Sequence, residues 1–218
     1  MGIKERQERD REAVARAILD AARELFVIEG YANVSIRKIA ERIEYSPAAI
    51  YGYFSSKDDI FFALAEEGFQ LLGTPADRSS TDRNDPLDDL RQAFWRLYEF
   101  SKQHPQYFAL MYVDREVPRI SQEYERFGFV REVKSRVIDL VRACVDAGVF
   151  PPSTKPFAAF RVISMAMFGV AVMRLSGRMA PGEDPDALAR DVLETVIGGL
   201  RGGIELQSAD LSCEGAVR

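Results

Sequence analysis

The sequence predicts an all-α fold of about nine helices in two sections, on three observations. Apolar residues recur at three- and four-residue spacing through most of the 218 residues, and no stretch alternates convincingly. Helix starts are marked by Ser35, Ser46-Pro47, Ser56 and Asp85-Pro86, and stops by Gly30, Gly148 and the prolines beyond. Composition is that of a globular chain, 47% hydrophobic and 29% charged, with a net charge of −5. The acidic total argues against a non-specific nucleic-acid coat but leaves room for a local footprint.

The first helix is expected over residues 5–29, with Val14, Ile18, Ala21, Ala22, Leu25 and Phe26 inward and Gly30 as its stop. Ser35 caps a second, with Ile36, Ile39, Ala40 and Ile43 inward. Ser46-Pro47 opens a brief third, in which Ile50 and Phe54 face in. Ser56 with Asp59 opens a fourth. Residues 73–84, rich in Gly, Pro, Ser and charge, read as a mobile connection. Asp85-Pro86 starts a fifth helix with the stripe Leu87, Leu90, Phe94, Leu97 and Tyr98, and His104-Pro105 breaks it before an aromatic sixth. A long seventh carries Val130, Val133, Val137, Leu140, Val141 and Cys144, and two more follow over 156–176 and 184–200. The uncharged run at residues 162–173 is too short to span a bilayer and is bracketed by Arg161 and Arg174, so it reads as a core helix, with no membrane as partner.

Helices two and three have the length and joint of a helix-turn-helix, whose second helix enters the major groove. The pair turns outward Arg37, Lys38, Arg42, Ser46, Ala48, Ala49, Tyr51, Gly52, Tyr53 and Lys57. Small side chains at 48, 49 and 52 let the backbone approach base edges. Phenols and the ammonium at the helix end reach phosphate oxygens, which fix register. Arg37 is a fork suited to guanine, and the amides behind Ser35 and Ser46 suit phosphates.

Residues 17–64 resemble the TetR family of bacterial one-component regulators. The match runs through Gly30-Tyr31, Ser35-Ile36, Ile39-Ala40, Ser46, Ile50-Tyr51, Phe54, Lys57 and Ile60-Phe61. The resemblance implies a DNA-binding domain over 1–56 and an effector and dimerisation domain over 57–218. It implies DNA contacts from Ser35, Arg37, Ser46, Pro47, Ala48, Ala49, Tyr51, Gly52, Tyr53 and Lys57. In one place the chain departs from the family, with Ile43-Glu44-Tyr45 where a glycine usually occupies the middle of the turn.

The same resemblance implies a double-stranded operator, a homodimer through the last two long helices, and a small, largely apolar effector. Trp95, Tyr98, Met111, Tyr112 and Phe168 are the candidate effector residues, chosen for apolar bulk with polar tips. No cofactor or metal is expected. One histidine, His104, leaves little for metal clusters or general-base catalysis, and no phosphate-cradling loop or nucleophile elbow occurs, so an enzyme is not expected. Two distant cysteines, Cys144 and Cys213, and a charged N-terminus point to a reducing cytoplasm. The competing reading is a helical protein-interaction module that keeps the fold without binding an operator.

Overall fold

A computed structural model describes residues 2–73, 85–119 and 126–208. Its helices are α1 (Ile3–Glu29), α2 (Ile36–Arg42), α3 (Pro47–Tyr51), α4 (Lys57–Gly73), α5 (Pro86–Gln103), α6 (Pro105–Tyr112), α7 (Gly128–Asp146), α8 (Pro156–Leu175) and α9 (Pro185–Arg201), with a 3₁₀ turn at Tyr31–Asn33. The expected connection lies outside the described residues from Thr74 onward, as does Cys213. Packing divides the chain into two compact units, Met1–Leu71 with His104–Tyr124, and Leu72–Gln103 with Glu125–Arg218. The expected division after residue 56 separates tasks; packing instead places most of α4, and all of α6, with the N-terminal helices.

In the first unit, α1 buries Ile18, Ala21, Ala22 and Phe26. Tyr31 wedges beside them, its ring centroid 5.0 Å from Phe26 and 5.7 Å from Phe61. Gly30 ends α1 at φ 81°, ψ 147°, an extended positive-φ conformation and not the left-handed helical one its position suggests. A side chain there is strained, so glycine is required. Gly68 serves a different purpose: a Cβ at this position would collide with Met111 Sδ and crowd Tyr107 at 3.2 Å. Its absence lets α4 and α6 approach closely. A polar seam ties both helices to α1. Arg16 pairs bidentately with Glu67 (2.8 and 2.9 Å), and Arg23 donates to Gln106 Oε1 (2.9 Å) and the Tyr107 hydroxyl (2.8 Å). Burial opposes ionisation of Glu67, but hydrogen bonds from Arg16 and Tyr107 prevail and lower its pKa.

The second unit is built around α8, which packs against α5, α7 and α9 and buries Ala158, Ala159, Ile163, Met167, Val170 and Ala171. At 20 residues, α8 is long and apolar enough to cross a bilayer by length and composition alone. The uncharged run of residues 162–173 is the middle of this helix, between Arg161 and Arg174. Its packing on three helices is that of a core element, and Arg174 near its end donates to the Ser101 carbonyl at 2.5 Å. The buried line of α7 is Val130, Ile138, Val141 and Cys144, with Val133, Val137 and Leu140 only half-buried. Adjacent Val137 and Ile138 are equally apolar, and the true face is turned toward the second. Gly148 (φ 71°) closes α7 in a Schellman turn, with Val149 N donating to Cys144 O at 2.9 Å and Gly148 N to Val145 O at 2.9 Å. Burial pushes the Cys144 thiol up to about 11, so it is inert as a nucleophile near neutral pH.

Candidate nucleic-acid interface

Local chemistry fixes the α2–α3 pair residue by residue. Ser35 Oγ accepts from Lys38 N at 3.3 Å, and Ser46 Oγ from Ala49 N at 3.2 Å, so each helix begins on a side-chain cap. Pro47 occupies the first turn of α3, where no amide donor is needed. Between the caps, α2 ends in a Schellman turn: Tyr45 N donates to Ala40 O (2.9 Å) and Glu44 N to Glu41 O (3.3 Å). Glu44 takes the left-handed position at φ 58°, the one non-glycine residue with positive φ among the described residues. A Cβ in that conformation costs about 1 kcal/mol, borne here by the turn that sets the angle between the helices. Ile39, Ala40 and Ile50 are fully buried and hold the pair inward.

The outward face follows. Ser35, Arg37, Lys38, Ser46, Pro47, Ala48, Tyr51 and Gly52 are exposed, while Ala49 and Tyr53 are half-buried. α3 itself carries no charge. Its outer surface is therefore backbone, methyl groups and the Tyr51 phenol, 57% exposed. Arg37 stands out from α2, its Nε donating to Glu41 at 2.8 Å in an open i,i+4 pair. Such a solvated pair is readily exchanged for a base edge or phosphate. Lys38 is held by the carbonyl of Asn33 (3.0 Å) and the Glu29 carboxylate, and Arg42 by Glu24 (3.1 Å).

Lys57 is placed otherwise than its sequence position suggests. Its ammonium donates to the carbonyls of Tyr31 (2.8 Å) and Val34 (3.0 Å) and lies 4.0 Å from the Tyr31 ring centroid. Two of its three donors are thus spent inside the head. The Tyr31 hydroxyl hydrogen-bonds Asp58, and burial followed by that carboxylate pushes its pKa upward. Lys57, Tyr31 and Asp58 clamp the start of α4 against the 3₁₀ turn and Val34, which deliver Ser35 to α2.

Two residues that the sequence analysis leaves out also belong to this face. Tyr45, in the turn, is 45% exposed beside the Ser46 cap. Its signal was available, a phenol at a polar joint. Arg11 carried none: it reaches across 41 positions to donate to Gly52 O at 3.2 Å and sits 5.3 Å over the Tyr53 ring.

The candidate effector residues divide between the units. Met111 and Tyr112 lie on α6 in the first. Met111 packs against Gly68, and Tyr112 meets Phe69 and Phe108 at centroid distances of 6.2 and 5.3 Å. Trp95, Tyr98 and Phe168 belong to the second. Tyr98 is fully buried and donates to Asp186 Oδ1 at 2.8 Å, an acid also held by Lys102 at 2.7 Å. Trp95 borders an open groove of about 350 Å³ between α5 and α9, with Arg91, Gln92, Arg190, Leu193 and Glu194.

Comparison with known proteins bears on both sections. Residues 18–64 match the model of the bacterial regulatory proteins of the tetR family, and residues 90–196 that of the tetracyclin repressor-like C-terminal domain. A transcriptional repressor of Mycobacterium tuberculosis, Rv1474c, is 40% identical over 63 residues, which span 29% of this chain and 34% of that one. The nucleoid occlusion factor SlmA of Vibrio campbellii is 29% identical over 156 residues, 68% of this chain and 76% of its own. Among solved structures, MexZ, a repressor of Pseudomonas aeruginosa, superposes with a TM-score of 0.67 at 18% identity, covering 86% of this chain and 94% of its own. NalD, the secondary repressor of an efflux pump in the same organism, gives 0.63 at 22%, covering 87% and 97%. These structures share the fold.

Proposed function

The chain belongs to the tetR family of bacterial regulatory proteins, and from that premise we propose that it is a transcriptional repressor that leaves a palindromic double-stranded operator when a small, largely apolar effector binds. The observation that carries this reading is the capped α2–α3 pair, with an uncharged, small-residue helix turned outward beside the exposed fork of Arg37. Ala48, Ala49 and Gly52 admit the backbone to the groove. Ser35, Ser46, Pro47, Tyr51 and Tyr53 fix its register on phosphates, and Arg37 reads a base edge. Lys57 serves from behind, by holding the link into α2.

Residues 1–56 bind DNA in this account, and 57–218 serve dimerisation and the effector. α8 and α9 form the dimer contact. Arg161, Met165, Gly169 and Met173 make an exposed line on α8, and a Cβ at Gly169 or Gly198 meets nothing within 4 Å, leaving open space for a second copy. The candidates for holding the effector are Trp95, Tyr98 and Phe168 in one unit and Met111 and Tyr112 in the other, and the effector favours the form whose recognition helices are farther apart, so DNA release is a population shift. A cytoplasmic location follows from a DNA target, and the family's members are regulators, not enzymes.

Selection of binding sites from a random DNA pool, followed by sedimentation of the complex, tests the reading. Enrichment of an inverted repeat with half-sites about one DNA turn apart, roughly 34–36 Å or somewhat more, and two chains per site is expected. Failure to enrich any sequence overturns it in favour of a protein-interaction module.

A further inference from the structure

The family match begins at residue 18, yet α1 begins at Ile3. Fifteen helical residues, about 22 Å of helix, precede the matched region. From Lys4 to Glu12 this extension contains no apolar side chain, and every residue in it is exposed. A helix polar all round is not ordered by burial; it is either solvated or turned toward a charged partner. Two features order it here. Gly2 N donates to Glu5 Oε2 at 2.9 Å, the one half of a capping box that a glycine allows, and Arg11 reaches Gly52 O and the Tyr53 ring at the C-terminal end of α3.

The Arg11 contact also orients the extension. Lys4, Gln7 and Arg11 follow one another at i, i+3 and i+7, so they share the side of α1 that meets the end of α3. Glu5 and Glu12 lie on a neighbouring stripe, and Glu8, four residues after Lys4, stands at the border between the two. Beyond Arg11 the helix continues about 10 Å to Lys4. The side that abuts α3 thus carries two cations and an amide, with the one carboxylate of Glu8 at its border, in continuity with Tyr51, Gly52 and Tyr53, and its Lys4–Gln7–Arg11 line suits a phosphate backbone.

On the operator reading above, we infer that the N-terminal extension of α1 is a second DNA-contacting element, in which Lys4 and Gln7 engage phosphates flanking the half-site that α3 occupies. Arg11 positions both parts: its guanidinium ties the extension to the carbonyl end of α3. The contact adds affinity without sequence preference, because phosphate contacts carry no base information.

The test is operator affinity measured across a range of salt concentrations for the full chain and for Lys4→Gln, Lys4→Glu and Lys4→Arg, with Tyr51→Ala alongside. Lys4→Gln is expected to weaken binding about 3–10-fold and to make the slope of log K against log salt shallower by about 2, one contact from each of the two chains, equally on mismatched operators. Lys4→Glu weakens it further, and Lys4→Arg restores it. Native affinity and slope in both Lys4→Gln and Lys4→Glu, while Tyr51→Ala loses binding, overturn the extension contact and leave the operator reading standing. Loss of self-association in the Lys4 variants at unchanged DNA affinity assigns the face to a second copy and equally overturns it. If the native chain binds no DNA, both readings fall together.

Discussion

α3 and α8 are stabilised by opposite means. α3 has five residues, one fully buried side chain, and an outer face of backbone and methyl groups. Its order comes from the Ser46 cap, the Glu44 turn and Ile50 beneath. α8 has 20 residues, seven of them buried, and packs on three helices. The lesson is that a helix meant to approach another molecule closely is poor in packing and rich in hydrogen-bonded ends. Small changes at those ends should alter binding more than stability, whereas changes in α8 should do the reverse.

The largest effect tests that contrast directly. Ile50→Ala and Ile163→Ala each remove a fully buried side chain and should each lose about 2–5 kcal/mol in urea unfolding. Only Ile50→Ala should abolish operator binding at temperatures where both variants remain folded. Lys57→Met comes next, at about 2 kcal/mol, because the carbonyls of Tyr31 and Val34 lose their donor. A variant as stable as the native chain but unable to bind DNA would show instead that Lys57 contacts phosphate. Smaller still is a pair of opposite sign at the joint. Ser46→Ala should lose about 1 kcal/mol of stability with its cap. Glu44→Gly should gain about the same by relieving φ 58°. Calorimetry of both reads the two ends of one turn.

The smallest effect is acid sensitivity. Hydrogen bonds from Lys102 and Tyr98 lower Asp186, and one from Arg91 lowers Glu194; Arg16 and Tyr107 lower Glu67 against its burial. Carboxylates with depressed folded pKa values stabilise above their unfolded values, 3.8 for Asp and 4.5 for Glu. That contribution disappears as pH falls through the folded values. Stability should therefore decline below about pH 4.5, and Glu67→Gln should reduce the difference between urea midpoints at pH 7 and pH 4.

The helix ends were legible in the sequence because their chemistry is local. Ser35, Ser46 and Gly148 each act on amides or carbonyls within a few positions, and Glu44 stood out by occupying a place that suits glycine. The exposure of Ser35, Arg37, Ser46, Pro47, Ala48, Tyr51 and Gly52 was legible for the same reason. What escaped were pairings set by tertiary packing. Lys57 finds its carbonyls 23 and 26 positions away, and Arg11 meets Gly52 across 41. Met111 gives no hint of lying against Gly68, since a thioether fills a gap and a cavity wall equally well. The buried face of α7 slipped by one residue because Val137 and Ile138 satisfy the same periodicity.

On the proposed function, operator binding rests on the outer face of α2 and α3. Its most direct test is a mobility-shift titration of the native chain and the double variant Arg37→Ala/Tyr51→Ala on the selected operator, with circular dichroism as the folding control. Both side chains are exposed and support no core contact. The account predicts an unchanged spectrum and melting temperature with affinity lower by at least about 10-fold. Native affinity in the folded double variant would contradict it.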